Sequence, residues 1–320
     1  MTLYLHNIPR TGLKCTRVSP DKNLGADPPM IAIIGIVIVL GAIAAGYTME
    51  HGKFLVLLQP AEFVIIFGAA IGTVVIANPL PTLIKIGQGL AGVFSPSKFT
   101  KALYLETLKM LYELFALSRK AGTAKLEEEV DNPSKSAVFT KYPKFLKSHH
   151  ALNFLCDTLR MAVSGTVEPI DIDAMMEADL EVHRHESLEP IAALSTMADA
   201  LPGLGIVAAV LGVVLTMGAL GGPKEAIGEK VAAALVGTFL GILLCYGIFS
   251  PLAAAMGKNN DAESQYFGVL RMASLGFVKD LSPIIAVELA RRSIPDVVRP
   301  SFQEMEATCR GGGASAKKAA

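Results

Sequence analysis

The histidines of this chain are the first residues to consider for chemistry, because imidazole groups bind metal ions and transfer protons near neutral pH. His183 and His185 flank a single residue and precede Glu186, while His149 and His150 are adjacent. On a helix of 3.6 residues per turn, positions i and i+2 point about 200° apart, and neighbouring positions also diverge. Two such rings cannot easily reach one ion, so the pattern predicts a solvated helix surface.

The cysteines and the known catalytic motifs give no stronger signal. The four cysteines are far apart in the sequence and show neither a disulfide framework nor a metal-binding spacing. They are Cys15, Cys156, Cys245 and Cys309. The chain also lacks GxSxG, a P-loop and a GxGxxG that follows a strand. We therefore expect isolated reduced thiols, no enzyme activity, no cofactor and no bound metal.

Charge and composition exclude several classes of protein. The 29 basic and 29 acidic residues cancel, which argues against a nucleic-acid-binding protein. Hydrophobic residues make up 52% of the chain, so disorder of the whole chain is excluded. Charged residues make up only 18%, and the mean hydropathy is +0.46. The run Glu127 to Glu129 is typical of a solvated helix surface.

Four stretches of the chain contain no Asp, Glu, Lys or Arg. They are the predicted helices that would hold the residues of a functional site in place. A bilayer core about 30 Å thick needs about 20 apolar helical residues. The charge-free stretches are residues 28–49, 63–84, 200–223 and 231–257. They predict an all-α integral membrane protein with four transmembrane helices, because four such runs are unusual for the buried core helices of a soluble protein.

Lysine and arginine residues predict the topology, since they concentrate in cytoplasmic segments. Residues 49–62 contain one basic residue and residues 221–230 contain two, whereas residues 80–199 contain 13 and residues 258–320 contain nine. We therefore expect both short loops outside the cell. The middle segment, the tail and both termini are expected in the cytoplasm.

The predicted spans divide the chain into five parts. They are an N-terminal extension (1–29), spans 1 and 2 (30–79), a cytoplasmic helical domain (80–199), spans 3 and 4 (200–257), and a cytoplasmic C-terminal helix with a flexible tail (258–320). The extension is polar and lacks the apolar core of a signal peptide, so we expect disorder there, with Met30 as a candidate start of translation.

The cytoplasmic parts predict a helical domain formed by the loop between spans 2 and 3 together with the C-terminal segment. The predicted helices are 104–122 with Gly122 as C-cap, one that starts with 125–130 and stops at Asp131-Asn132-Pro133, 150–163, 171–188, and 261–292 with an interruption near Pro283. The first of these places Tyr104, Leu108, Leu111 and Phe115 on one apolar face.

The third and fourth spans are notable for the ionisable groups that they lack. An ion pathway through hydrocarbon normally leaves such a group inside it. The polar or titratable residues in these spans are only Thr216, Thr238, Cys245, Tyr246 and Ser250. Glu62 is charged and falls at the outer mouth of the second span. If the chain conducts ions, we expect the titrating carboxylate to come from another polypeptide.

Two prolines interrupt the hydrogen bonding of these spans. Pro202 opens the third span, and Pro251 lies near the cytoplasmic end of the fourth. Proline in a membrane helix frees a backbone carbonyl and favours a kink. Each kink is predicted to be either static or a hinge.

Several segments resemble the MotA family of flagellar motor stator proteins. LPGLGIVAAVLGVV (201–214) and LVGTFLGILLCYGIFSPLA (235–253) resemble the paired third and fourth spans of that family. Further matching segments are QPAEFVIIFGA (59–69), SRKAG (118–122), LEEEVDNP (126–133), and PIIAVELARRSI (283–294) followed by RPSF (299–302). The resemblance runs in order from Met30 to about Glu306.

The resemblance implies a bacterial inner-membrane channel subunit that produces torque. It implies five copies of the chain around two copies of MotB, which supplies a membrane aspartate and a peptidoglycan anchor, and contact with the rotor protein FliG. By position, Arg119 and Glu127 match the rotor-interface charges, Pro202 and Pro251 the coupling prolines, and Thr238 the hydroxyl near the ion site.

The transported ion implied by the resemblance is the proton. Sodium-type relatives carry extra hydroxyls near the site, and the equivalent positions here are Ala209 and Gly237, with Thr238 alone retained. A sodium-driven stator stays an alternative, as does an ExbB/TolQ-like proton-channel subunit with three spans. A secondary transporter would need inverted repeats with broken helices, which the sequence lacks. A membrane enzyme would need a nucleophile together with a base, and no such set is visible in the sequence.

Overall fold

The computed structural model describes residues 28–52, 54–218 and 224–311, and every regular element within them is helical. The predicted all-α fold class is confirmed. Residues 1–27 of the extension expected to be disordered (1–29) lie outside the described residues, as do residues 312–320 of the tail, whereas Pro28 and Pro29 already belong to a helix.

Helices of very different lengths follow one another along the chain. The α-helices are α1 (Pro28–Met49), α2 (Phe54–Leu57), α3 (Pro60–Ala77), α4 (Leu80–Val93), α5 (Lys101–Ala121), α6 (Thr123–Asp131), α7 (Pro143–Leu146), α8 (His149–Ser164), α9 (Pro169–Met217), α10 (Lys224–Leu244), α11 (Ser250–Val278), α12 (Pro283–Arg292) and α13 (Phe302–Cys309). Short 3₁₀ turns occur at Pro133–Lys135 and Phe139–Lys141, and a π-helical turn at Cys245–Phe249 joins α10 to α11.

Within the described residues, four helical segments are long and apolar enough to cross a membrane, as the sequence predicts. They are Met30–Met49, Pro60–Ala77, Pro169–Met217 and Lys230–Val278. The last two extend far beyond a bilayer, and charged residues occupy α9 up to Asp199 and α11 from Lys258 onward. The membrane-crossing parts of these two segments are therefore residues 200–217 and 230–257.

The membrane bundle is organised around the apolar half of α9. This half packs against α3 on one side and against α10 on another. Their shared core contains Ile66, Ala70, Ala198, Leu201, Ala208, Leu240, Leu244 and Cys245. By contrast, α1 makes few contacts, and Val37 and Ile38 on it are more than 60% exposed. Exposed apolar surface of this extent fits a helix that faces lipid or another subunit.

The third span continues without a break from the charged helical segment before it. The sequence predicts a separate helix at 171–188 and a span opened by Pro202, but α9 runs through both Pro190 and Pro202 as one helix of 49 residues. A proline inside a helix costs about 3 kcal/mol, and packing of the flanking turns can offset that cost. Leu194, Ala198 and Leu201 are buried on these turns.

The domain that the sequence predicts to be cytoplasmic has a large apolar core of its own. The predicted face of α5 is confirmed, since Tyr104, Leu108, Leu111 and Phe115 are at most 1% exposed. The core is shared with α6, α8, α11, α12 and α13, so it joins the middle segment to the C-terminal segment. Gly122 follows α5 with φ of 89°, and its N–H donates to the Ser118 carbonyl.

The break between α11 and α12 falls where the sequence predicts an interruption. Helix α11 ends at Val278, and a turn containing Asp280 at φ of 53° precedes Pro283. Proline suits the first turn of a helix because the N–H that it lacks has no partner there. The turn sends α12 back along α11 and α5.

Candidate functional site

The backbones of α9 and α10 approach each other closely through small residues. A Cβ built on Gly241 would lie 2.5 Å from the carbonyl oxygen of Leu201 and 3.0 Å from the Cα of Gly205. One built on Gly212 would lie 2.7 Å from the Cβ of Ala234. Such contacts are possible only where side chains are absent or minimal. The third and fourth spans therefore form one tightly joined pair.

An apolar groove of about 280 Å³ runs along this pair. It is lined by Ile206, Ala209, Val210, Val213, Val214, Val231, Ala234 and Leu235. Most of these side chains are exposed, and none of them is polar. The groove is a surface that a further apolar helix could occupy.

Three of the predicted pathway residues share the face that carries the groove. Ala209 lines it directly, and Pro202 lies one helical turn below Ile206 on α9. Thr238 lies one turn beyond Ala234 on α10. Residues three or four apart occupy the same side of a helix, so the structure brings Pro202, Ala209 and Thr238 to one side of the pair.

Pro251 lies away from that cluster. It is 13 residues beyond Thr238, which corresponds to about 20 Å along a helix. The π-helical turn comes immediately before it, and the N–H of Ser250 donates to the carbonyl of Cys245 five residues back. A wider turn of this kind accommodates a residue that cannot donate, and such turns are frequent at functional sites. Pro251 itself is exposed.

Glu62 lies in the first turn of α3, with its carboxylate directed into the bundle. The residue is only 6% exposed, and a Cβ built on Gly237 would lie 2.7 Å from its Oε2. The same built atom would lie 3.1 Å from the Cβ of Ala208 and 3.4 Å from the N of Ala209. The structure therefore brings Glu62 next to Ala209, a proximity that the sequence did not predict.

The predicted rotor-interface residues lie on consecutive helices of the domain outside the membrane bundle. Arg119 is in the last turn of α5 and Glu127 is on α6, and both are exposed at the surface. Helices α5 and α6 pack against each other. Arg119 also forms an ion pair with Asp280 in the turn after α11.

The glutamate run differs from the uniformly solvated surface that the sequence predicts. Glu128 is exposed and pairs with Lys125 at 2.6 Å. Glu129 is buried and accepts hydrogen bonds from the hydroxyl of Ser136 and from the N–H of Val138. The burial of Glu129 could have been predicted from the spacing of the residues, because position 129 is three residues after the buried Leu126 and shares its helix face.

The two histidine pairs also meet in a way that the spacing did not predict. The rings of His150 and His183 stack with centroids 3.8 Å apart, and both contact Phe267. His183 lies in the charged N-terminal half of α9, and burial together with the nearby His150 lowers its pKa. Among the described residues, no three His, Cys, Asp or Glu side chains are grouped as metal ligands.

The described cysteines are free and buried. Burial raises the pKa of Cys156 to about 12 and that of Cys309 to about 11. Because the thiolate is the reactive form, these thiols are expected to be inert near neutral pH. Cys15 lies outside the described residues.

Comparison with known families matches two large parts of the chain. Residues 33–122 match the family described as Motility protein A N-terminal. Residues 147–268 match the family described as MotA/TolQ/ExbB proton channel family. The second match contains both α9 and α10 with the groove between them.

Individual relatives cover nearly all of the described chain. It is 39% identical to Motility protein A of Escherichia coli (strain K12) and 37% identical to that of Salmonella typhimurium, in each case over 87% of this chain and 94% of the relative. The solved C. jejuni MotAB structure has a chain similar in fold, with a TM-score of 0.68, 20% identity, and coverage of 85% of this chain and 98% of that one.

Proposed function

The chain belongs to the MotA family of flagellar motor stator proteins, and we propose that with a MotB partner it converts ion flow into torque on the rotor. Members of this family are multi-pass membrane channel subunits and not enzymes. The rival ExbB/TolQ-like subunit would have three spans, whereas four segments here can cross a membrane.

The observation that carries the proposal is the apolar groove between α9 and α10. No ionisable side chain lines it, although a path for ions through hydrocarbon normally requires one. A MotB-type partner would supply one membrane helix with an aspartate. Seated along the groove, that helix would bring its carboxylate near Ala209 and Thr238, the residues that this proposal assigns to the ion pathway.

The two prolines are proposed to couple ion binding to movement. Pro202 has no N–H to donate to the carbonyl of Ala198, which lies in the buried core between α3, α9 and α10. Pro251 follows the π-helical turn, where the helix is already wider than elsewhere. Both positions interrupt the hydrogen-bond ladder of a span, so they are the places where a span can bend.

Arg119 and Glu127 are proposed to meet the rotor protein FliG. Exposed ion pairs contribute only about 0–1 kcal/mol each, which suits contacts that must form and break at every step. Opposite charges on two surfaces also steer their encounter. The exposure of both residues on adjacent helices supports this role.

We propose the family arrangement of five copies of this chain around two MotB subunits. The excess of basic residues supports a location of the domain outside the membrane bundle, and of both termini, inside the cell, and the proposed membrane is the bacterial inner membrane. Exposed apolar residues on α1 and α3, such as Val37, Ile38 and Ile76, provide surface for lipid and for neighbouring copies.

The proton is proposed as the driving ion. The groove offers no oxygen ligands from its own side chains, whereas a sodium ion needs several oxygens to replace its hydration shell. Thr238 alone adds a hydroxyl on the same face.

The experiment that tests the function is complementation of a strain without its own stator genes. Expression of this chain with its MotB partner should restore swimming, and the two proteins should co-purify. Ala209→Trp should fill the groove and abolish both results. Val64→Trp is the matched control, because Val64 is 73% exposed on α3 and lies outside the groove. Undiminished co-purification with Ala209→Trp would contradict the groove as the MotB site.

A further inference from the structure

We propose that Glu62 is a binding site for the transported proton, used on the way to the carboxylate of the partner. The inference rests on the proposed function and adds a second acidic group to the pathway. The sequence placed Glu62 at the outer mouth of a span and assigned the only titrating carboxylate to another polypeptide.

The immediate surroundings of Glu62 point to a ligand. Its Oε2 is buried and has no hydrogen-bond partner among the residues that the structure describes. An ionised carboxylate held away from water without a partner is strongly unfavourable. The buried, unpartnered Oε2 is therefore suited to take up a proton or a cation.

The depth of Glu62 places it inside the bundle and not at its rim. Helix α3 begins only two residues before Glu62, but the carboxylate contacts α10 at Gly237. Gly237 is seven residues beyond Lys230, and Ala208 is nine residues before the end of α9 at Met217. At 1.5 Å per residue, Gly237 lies about 10 Å along α10 from Lys230, and Ala208 lies about 13 Å along α9 from Met217. The carboxylate of Glu62 is therefore beside the interior of both spans.

Gly237 creates the space in which the carboxylate lies. A side chain at this position would require Oε2 to move from its present place, since the built Cβ is 2.7 Å from that atom. Gly237 and Ala209 are also the positions at which sodium-type relatives are expected to carry hydroxyls. Here the small residues leave room for the oxygen of Glu62 beside Ala208 and Ala209.

The proposed proton transfer at Glu62 conserves both atoms and charge. A hydronium ion that enters from the outer side gives its proton to the Glu62 carboxylate, which forms a neutral acid and water. The new O–H bond then breaks as the proton passes to the carboxylate of the partner. Glu62 returns to its charged form and is ready for the next proton.

The test uses the full chain with MotB in cells that lack other stators. Glu62→Gln keeps the size of the side chain but cannot release a proton, and it should lower proton uptake and motor speed about tenfold or more. Glu62→Asp keeps the acid and should retain part of the speed. Glu50→Gln, at an exposed position in the turn after α1, should behave like the wild type. Fluorescent stators should join the motor in all variants.

The outcomes separate this inference from the proposed function. Normal speed of Glu62→Gln across external pH would overturn the inference while leaving the stator function intact. Failure of the wild-type chain to restore motility would overturn the function itself. If Glu62→Gln does not assemble, the speed of Glu62→Asp is compared with that of the wild type across external pH. A changed dependence of speed on pH supports the site, and an unchanged dependence overturns it. If the speed of Glu62→Asp rises with external sodium, the ion bound at this site is a metal cation and not a proton, which would overturn the proposal.

Discussion

Arg119 donates one hydrogen bond to the main-chain oxygen of Asp280 at 2.8 Å and a second to its Oδ1 at 3.1 Å. The pair joins the last turn of α5 to the turn between α11 and α12. The Arg119 side chain is 48% exposed and that of Asp280 is 95% exposed. A guanidinium held so openly can exchange this partner for an acidic group on another protein.

Reversing the charges at Arg119 and Glu127 should weaken torque without loss of the stator. Arg119→Glu, Glu127→Lys and the double variant should slow loaded motors because steering and contact with the rotor are lost. A compensating charge reversal on the rotor should restore part of the speed. Bead assays on single motors provide the measurement.

Arg310→Glu is the matched control for these reversals, since Arg310 is also an exposed arginine, paired with Glu306 near the end of α13. It should leave torque unchanged. Full torque in the Arg119→Glu, Glu127→Lys double variant would remove these residues from the rotor contact.

Pro202→Ala and Pro251→Leu should each abolish swimming while the flagellum remains assembled. Either change restores an N–H to the helix and removes a place where the span can bend. Pro190→Ala serves as the control, because Pro190 interrupts the same helix in its cytoplasmic half. Motility plates and microscopy of stained flagella give the result, and a motile Pro202→Ala strain would refute the proposed coupling.

Gly241→Ala should separate α9 from α10 and destabilise the protein by about 1–3 kcal/mol, the usual cost of forcing extra atoms into a packed interface. The new methyl group would meet the backbone at Leu201 and Gly205, which cannot move aside as a side chain can. Gly68→Ala has no atom within 4 Å of its new methyl group and should change stability little. Thermal unfolding of the purified protein in detergent compares the two, and equal midpoints would rule out tight packing at Gly241.

Acidification should loosen the domain outside the membrane bundle through His183. Its pKa is lowered in the folded protein, by burial first and then by His150, so the folded state binds fewer protons than the unfolded state. Stability that is present above the ordinary pKa of about 6.5 is therefore lost as the pH falls below it. Glu263 on α11 and Glu186 and Asp179 on α9 oppose the shift but do not cancel it.

A pH series of unfolding temperatures measures this effect. His183→Phe removes the titrating ring and should lose less stability between pH 7.5 and pH 5.5 than the wild type does. His185→Gln, at an exposed position two residues away, should keep the wild-type dependence. Identical curves for wild type and His183→Phe would show that His183 does not contribute.

The sequence predicted the membrane spans and the apolar face of α5 because both depend on patterns local to one helix. Charge-free runs and apolar spacing are visible without knowledge of neighbouring helices. The interruption before Pro283 and the C-cap at Gly122 are likewise local features. These predictions match the structure closely.

The features that the sequence missed depend on how helices are placed relative to one another. The burial of Glu62 follows from the level at which α3 begins beside α10, and no property of either helix alone sets that level. The stacking of His150 on His183 likewise joins residues of α8 and α9. The continuity of α9 through Pro202 reflects tertiary packing that outweighs a local preference for a break.

Ion flux in lipid vesicles tests the central claim most directly. Vesicles that contain this chain together with MotB should take up protons when a proton gradient is applied, and the rate should not depend on sodium. Vesicles that contain this chain alone should stay closed, because the groove has no acidic group of its own and Glu62 can only pass its proton to a second carboxylate. Rapid, selective proton flux through this chain alone would contradict the account.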